Sequence, residues 1–259
     1  MWVGTRGKRK TDIMVQILTE RKSLITFSLS HVGGIGGNFA GEPQGCGYDP
    51  VNDMFYGFSN NSGSRQVKKI NRAGTTLTTI SNQGTFSNTM QDGCVHNGKV
   101  YSIRTPTTAS GEVRVYDLDL NFEQAINIPS TVVYGVAIDY AHGHWWITAN
   151  SNSNVYQVSE DFSTVVATHD IGTGNTYISS PHYSGLAWYN EYMFGVEHTS
   201  GGHVDVWRWT GSELVLHQEI STVGLDLYNG IAIDEATNKL YGSSRNLADD
   251  LQEYNITIT

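Results

Sequence analysis

Short apolar runs separated by polar turns recur along the whole chain. One motif occurs five times: a glycine, three mostly apolar residues, and a polar or aromatic residue that opens a turn. Its positions are 45–49, 93–97, 135–139, 185–189 and 230–234. The first residues of these motifs, here called the anchor glycines, are separated by 48, 42, 50 and 45 residues. No stretch keeps the spacing of an amphipathic helix, so the pattern predicts short strands throughout.

Further apolar runs follow each anchor glycine at regular distances. The second run of each repeat comes directly after the turn, at 54–58, 100–103, 145–148, 193–196 and 240–243. The third run begins 22, 20, 20, 19 and 21 residues after its anchor glycine. A fourth run closes the first four repeats, at 77–80, 124–128, 164–168 and 214–220. Four short strands in a repeat of this length are typical of one blade of a β-propeller.

The fifth repeat ends after its third run, and the beginning of the chain supplies the missing strand. Residues 24–29 have the pattern of a fourth strand and would complete the last blade. The sequence therefore predicts an all-β fold, a five-bladed propeller closed by strands from both ends of the chain. We expect residues 1–12 to be a flexible basic extension and residues 13–259 to form a single domain. Because residues 13–18 resemble a third strand, a sixth, incomplete blade is the alternative.

Charge and hydropathy exclude two classes of partner. The chain has 16 Lys and Arg against 25 Asp and Glu, a formal net charge of −9, which argues against a nucleic-acid partner. No apolar run approaches the roughly 20 residues that a membrane span needs. The basic start is not followed by the apolar stretch of a secretion signal. We therefore expect a cytoplasmic or virion-associated location, whereas the oligomeric state is not predicted.

The two cysteines occupy equivalent positions in the repeat. Cys46 and Cys94 each follow an anchor glycine directly, where three other blades carry valine, leucine and isoleucine. Free cysteine behaves as a small apolar residue in a protein core. Equivalent inner-strand positions of neighbouring blades are expected to lie too far apart for a disulfide. We interpret both cysteines as buried free thiols.

Candidate binding residues cluster in two classes of loop. Loops that enter the inner strands, and loops that join second to third strands, open on one face of a propeller around its channel, here called the upper face. The candidates there are Glu42, Asp92, Tyr134, Asn150, His182, Glu197, His198, Asn229 and Arg245. Such a mixed ring suits a small polar ligand, and it suits a solvated rim equally well. We expect Asp92 to lie on that rim.

Aspartates of the first turn are expected to have a different role. Asp49, Asp139 and Asp234 end three of the five motifs, on the opposite face, here called the lower face. Aspartate at such a position accepts hydrogen bonds from nearby backbone amides. We therefore interpret all three as structural residues of the first turn, although the pair Asp49-Pro50 also suggests a carboxylate glycosidase.

Two short phrases carry a resemblance to a known group of proteins. Residues 229–234 followed by 239–242, and residues 135–139, resemble inner strands of the NHL and SMP-30 (gluconolactonase-like) β-propeller superfamily. The resemblance implies a divalent cation in the channel, held by a Glu, by Asn residues and by an Asp. On matching positions the ligands would be Glu42, Asp92 and Asn229, and the cofactor Ca²⁺ or another divalent cation. The family has six blades, and Gln91 stands where it has Asn.

Two functions are consistent with these observations. The first is a non-enzymatic binding or scaffold propeller that presents its channel face to a protein or glycan, such as a virion or cell-surface component. Varied loops and a polar composition with few lysines support it. The second is a divalent-cation-dependent lactonase, esterase or lyase of the SMP-30 kind. The sequence shows no Ser-His-Asp order typical of serine hydrolases, no phosphate-binding loop and no dinucleotide-binding fingerprint. We favour the first.

Overall fold

A computed structural model describes most of the chain. The described residues are 25–37, 43–59, 65–81, 89–105, 111–129, 132, 135–149, 153–171, 183–197, 203–222, 225, 227, 229–244 and 250–259. They form strands and turns only, so within them no helix is long and apolar enough to cross a membrane.

Twenty strands make up the described fold. They are β1 (Phe27–Gly36), β2 (Pro43–Asp49), β3 (Met54–Ser59), β4 (Gln66–Asn71), β5 (Thr76–Ser81), β6 (Thr89–His96), β7 (Lys99–Thr105), β8 (Glu112–Asp117), β9 (Phe122–Asn127), β10 (Gly135–Ala141), β11 (His144–Ala149), β12 (Asn154–Val158), β13 (Val165–Asp170), β14 (Tyr183–Tyr189), β15 (Tyr192–Glu197), β16 (His203–Trp209), β17 (Leu214–Ser221), β18 (Ile231–Asp234), β19 (Lys239–Ser243) and β20 (Leu251–Ile258).

The strands form five antiparallel sheets of four, which confirms the five-bladed propeller. Blades 1 to 4 each consist of four consecutive strands, starting at β2, β6, β10 and β14. Blade 5 has the order β18-β19-β20-β1, so the N-terminal strand closes the ring as predicted. Residues 13–18, on which the alternative of a sixth blade rested, lie outside the described residues.

The closing strand is longer than the sequence predicts. β1 pairs with β20 from Phe27, opposite Ile258, to Gly36, opposite Leu251. Two register shifts, at residues 31–33 and 34–36, interrupt the pairing. These bulges lie in a glycine-rich segment without apolar alternation, which is why the pattern ended at residue 29.

A charged network reinforces the same closure. Arg72 of blade 1 donates to Glu253 of blade 5 (Nη1 to Oε2, 2.7 Å) and to Asp53 of its own blade (Nε to Oδ1, 3.0 Å). Its Nη2 donates to the Tyr241 hydroxyl at 2.9 Å, and its guanidinium carbon lies 5.1 Å from the centroid of that ring. Blades 1 and 5 are thus held by side chains as well as by the β1–β20 ladder.

The inner strands converge at the axis, where side chains would collide. A Cβ added to Gly230 would lie 2.4 Å from Cα of Gly45, and one added to Gly185 would lie 2.7 Å from Cα of Gly230. The anchor glycines are therefore required by the close approach of three blades. Cys46 and Cys94, one residue further on, are both buried and free, which confirms the interpretation made from the repeat.

Candidate functional site

Three of the residues that precede the anchor glycines lie in β-bulges. The pairing of inner and second strands shifts between Pro43 and Gly45 in β2, between Met90 and Gly93 in β6, and between Tyr183 and Gly185 in β14. Gln44, Asp92 and Ser184 fall within these shifts. A bulge takes a side chain out of the regular alternation of a strand, and bulges are frequent next to functional sites. All three side chains are buried.

Asp92 crosses from blade 2 to the anchor glycines of other blades. Its side chain is 0% exposed. A Cβ added to Gly230 of blade 5 would lie 2.3 Å from Oδ1 of Asp92 and 2.9 Å from the backbone nitrogen of Cys46 in blade 1. The carboxyl group therefore lies at the axis, between the backbones of neighbouring blades. The expectation that Asp92 lies on a solvated rim is wrong, because the bulge turns it inward.

The surroundings of Asp92 disfavour its charged form. Burial raises the pKa of its carboxyl group well above the usual range, and the neighbouring carboxylate of Asp139 raises it further. The backbone amides of Gly93, Ile138 and Cys46 oppose this effect. None of them is in regular hydrogen-bond geometry, and among the described residues neither carboxylate oxygen of Asp92 has a hydrogen-bond partner. Asp92 is thus a buried acid that lies near three backbone amides without a regular hydrogen bond from a described residue.

Asn229 occupies the equivalent position in blade 5. It is 0% exposed, and its Nδ2 donates to the backbone oxygen of Pro43 at 2.8 Å. The next residue, Gly230, donates its N–H to the backbone oxygen of Gln44 at 2.7 Å. Asn229 therefore joins blades 5 and 1 beside the carboxyl group of Asp92. Of the predicted site residues, Asp92 and Asn229 are the two that the described structure brings together.

The other predicted site residues cannot be located to the same extent. Outside the described residues lie Glu42, Tyr134, Asn150, His182, His198 and Arg245. Glu197 ends β15, where its backbone pairs with that of Tyr183, but its side chain is not described. Within the described part of the chain, no group of three or more His, Cys, Asp or Glu side chains is arranged to hold a metal ion. The predicted set of three metal ligands thus remains a prediction.

Two of the three first-turn aspartates close their own turns, as predicted. Asp49 accepts from the backbone N–H of Val51 at 3.0 Å and from Nδ2 of Asn52 at 2.7 Å. Asp234 accepts from the N–H of Ala236 at 3.1 Å and from the hydroxyl of Thr237 at 2.6 Å. In both turns the second partner is a polar side chain three residues after the aspartate.

Asp139 accepts from a neighbouring backbone amide, as predicted, but its second oxygen reaches another blade. Its Oδ1 accepts from the N–H of Tyr140 at 2.8 Å, and its Oδ2 accepts from the N–H of Trp188 in blade 4 at 3.0 Å. Three residues after Asp139, the chain has His142, which adopts the left-handed conformation (φ 54°) instead of supplying a partner. That shorter turn is the signal that distinguishes Asp139 in the sequence.

Asp139 is the second acid of the axis. Burial raises its pKa to about 7, and Glu235 adds to this, whereas the two backbone amides and the thiol of Cys94 lower it. Burial also raises the pKa of the Cys94 thiol, and both Asp139 and Asp92 contribute to that shift. Cys94 therefore lies near two carboxyl groups and stays protonated. Sequence reasoning missed this arrangement because Asp139 and Cys94 belong to different blades.

Comparison with known proteins identifies the fold alone. No known protein family matches the sequence, and no curated protein is significantly similar to it. Glutaminyl cyclase of Myxococcus xanthus superposes with a TM-score of 0.69 at 10% identity, over 90% of this chain and 98% of that one. The calcium-binding protein regucalcin of Agrobacterium tumefaciens gives 0.54 at 11%, over 87% and 93%. Aldose sugar dehydrogenase of Streptomyces coelicolor, in its PQQ-bound form, gives 0.51 at 12%, over 90% and 99%.

Proposed function

We propose that this chain is a binding propeller that presents its upper face to a protein or glycan partner, with Asp92 at the inner end of the site. The observation that carries the proposal is the carboxyl group of Asp92, which is buried at the axis without a hydrogen-bond partner among the described residues. Buried polar groups in native proteins nearly always have partners, and an exception is typical of a site completed by another molecule.

The chemistry of the missing partner follows from the chemistry of Asp92. A carboxyl group that burial keeps protonated donates one hydrogen bond and accepts others, whereas an ionised one only accepts. Sugar hydroxyls and backbone amides match both states, and a cation matches the ionised state. The varied polar loops of the upper face would surround such a group.

A glycan array tests this proposal directly. The intact protein, Asp92→Asn and the matched control Asp49→Asn would be compared on one array and, for the strongest glycans, by calorimetry. We expect saturable binding by the wild type and the control, and affinity about two- to tenfold weaker for Asp92→Asn, since a hydrogen bond between neutral groups contributes about 0.5–1.5 kcal/mol. Equal affinity in all three proteins would contradict the role of Asp92.

The second candidate is a divalent-cation-dependent lactonase, esterase or lyase. One observation favours it: Asp92 and Asn229, two of the three ligands implied by the SMP-30 resemblance, lie together at the axis. A hard cation such as Ca²⁺ needs six to eight oxygen ligands, so Glu42, water and substrate would complete the set. The cation would orient and polarise the carbonyl of the substrate.

Melting temperatures measured with Ca²⁺, Mg²⁺, Mn²⁺ and Zn²⁺ distinguish the two functions. A bound ion stabilises the folded state by mass action, and the shift grows with ion concentration. A shift for the wild type that Asp92→Asn abolishes and Asp49→Asn retains would support the cation-dependent enzyme. No shift with any ion would remove that candidate and leave the binding propeller.

A further inference from the structure

The lower face of the propeller contains a pocket at the axis. Its volume is about 490 Å³, within the range of sites for small molecules. The lining residues come from the first turns of four blades, with Pro50 from blade 1, Asp139 from blade 3, Trp188 from blade 4 and Asp234 from blade 5. Because turns of four blades meet only around the axis, this pocket is the lower mouth of the channel.

The charge of the pocket lining determines whether the pocket favours a positive or a negative ligand. Three carboxylates line the pocket, those of Asp139, Asp234 and Glu235, and its described lining includes neither lysine nor arginine. Glu235 is fixed toward blade 4, since its Oε1 accepts from the backbone N–H of Asn190 at 2.6 Å. A concave surface lined by one sign of charge concentrates ions of the opposite sign. The pocket therefore favours a cation.

Asp139 provides a fixed contact for that cation. Backbone N–H groups of two blades hold its oxygens, so the carboxyl group is oriented before any ligand binds. A preorganised group loses little entropy on binding, and that increases affinity. The aspartates of blades 1 and 5 are occupied by their own turns, which leaves Asp139 as the acid that departs from the repeat at this mouth.

Trp188 is the second, independent observation. It lines the same pocket, is only 6% exposed, and its indole Nε1–H has no acceptor among the described residues. The ring of His142 meets it edge-on, with centroids 4.8 Å apart and an interplanar angle of 83°. Aromatic rings attract organic ammonium groups, and a free indole N–H needs an acceptor oxygen.

We propose that the lower mouth of the channel binds a small organic ammonium compound that also carries an oxygen acceptor, with the ammonium group against Asp139 and the oxygen toward Trp188. An amino alcohol has this chemistry. The site is distinct from the one proposed for Asp92 on the upper face, so failure of either proposal leaves the other intact.

Nuclear magnetic resonance of the intact protein tests the site. Choline chloride and ethanolamine hydrochloride would be titrated at constant ionic strength, with sodium chloride as the control salt. The reporter is the indole N–H resonance of Trp188, assigned by its loss in Trp188→Phe. We expect a saturable shift with a dissociation constant of about 1 mM, typical of a small ligand with few contacts. A shift that sodium chloride reproduces, or none, would overturn the proposal.

Two variants locate the binding group. At pH 8, where Asp139 is mostly ionised, Asp139→Asn should weaken binding about tenfold, because it removes the charged partner of the ammonium group. Asp49→Asn, at the equivalent turn position of blade 1, should bind like the wild type. If Asp139→Asn does not fold, Glu235→Gln on the exposed rim replaces it, with an expected loss of about twofold. Unchanged affinity in the folded Asp139 variant, or in Glu235→Gln where it is used, would contradict the assignment.

Discussion

The two aspartates at the axis, Asp92 and Asp139, show that one fold can place the same residue type in two different environments. Asp92 and Asp139 both lie where inner strands converge, and burial is the main cause of the raised pKa of each. Asp139 receives two backbone hydrogen bonds and a thiol contact, and its pKa is about 7. Asp92 receives no regular hydrogen bond from a described residue. The two carboxyl groups thus differ in their hydrogen-bond partners, although burial raises the pKa of both.

Local backbone geometry produces the difference. The bulge in β6 turns Asp92 between the glycine backbones of other blades, where amides lie near but are poorly aligned. The short first turn of blade 3 lets Asp139 reach the regular N–H of Trp188 in the next blade. Blades 2 and 3 thus place their axial aspartates by different local geometry, a bulge in one and a shortened first turn in the other.

The largest effect is expected from Asp92→Asn. Because the pKa of Asp92 is raised in the folded protein, the folded state binds more protons than the unfolded state, whose aspartate pKa is about 3.9. Stability therefore falls as pH rises from about 4 through the folded-state pKa. The asparagine variant cannot ionise, so at pH 8 it should be more stable than the wild type by about 1–3 kcal/mol, the usual cost of an unpaired buried group.

Urea unfolding at pH 4, 6 and 8, in protein stripped of ions by a chelator, measures this effect. The two proteins should differ least at pH 4, where Asp92 is protonated in the folded state and about half protonated in the unfolded state. A wild type whose stability relative to the variant did not decrease between pH 4 and pH 8 would show that Asp92 has a partner.

Asp139→Asn should have a smaller effect of opposite sign. An amide has a single acceptor oxygen for the two backbone N–H groups, so at pH 5 the variant should be less stable than the wild type by about 1 kcal/mol. The wild type then loses stability as pH rises from about 4 through about 7, and the variant does not. The gap measured by urea unfolding should narrow toward pH 8. A gap that widened would contradict the raised pKa.

An effect no larger than that of Asp139→Asn is expected where an aspartate closes its own turn. Asp49→Ala removes the acceptors of Val51 N–H and Asn52 Nδ2, and should cost about 1 kcal/mol at pH 7. Asp234→Ala should cost the same, because its two contacts are equivalent. Thermal melts of both variants beside the wild type measure the loss. Melting temperatures equal to the wild type would show that the turns form without these contacts.

The blades were predictable because their signal is local. Alternating apolar residues and regular offsets from the anchor glycines indicate four strands per repeat, and all five sheets were found. The extent of β1 was not predictable, since residues 30–36 have no apolar alternation and pair with β20 through two bulges. The partner strand, not the segment itself, makes those residues a strand.

The candidate site was predictable only in part, because its properties depend on contacts between blades. The position of Asp92 before an anchor glycine marked it as a candidate. Its burial depends on Gly45 and Gly230, which are distant in sequence and adjacent at the axis. The contact of Asp139 with Trp188 of blade 4 was not predictable from the repeat, which describes only what the blades share. The local difference is His142, which stands where the other two turns have a side-chain partner for the aspartate.

The closure of the ring by β1 also sets an order of events during synthesis. Thr26 and Thr259 exchange two backbone hydrogen bonds, of 2.8 and 3.0 Å, although they are 233 residues apart in the chain. At roughly 5–20 residues per second, a ribosome needs about 10–50 s to make the intervening chain. Throughout that time β1 has no partner strand, and an unpaired strand edge is prone to aggregation. The glycines of β1 and its irregular pairing make this strand a poor template for wrong partners until β20 has been synthesised.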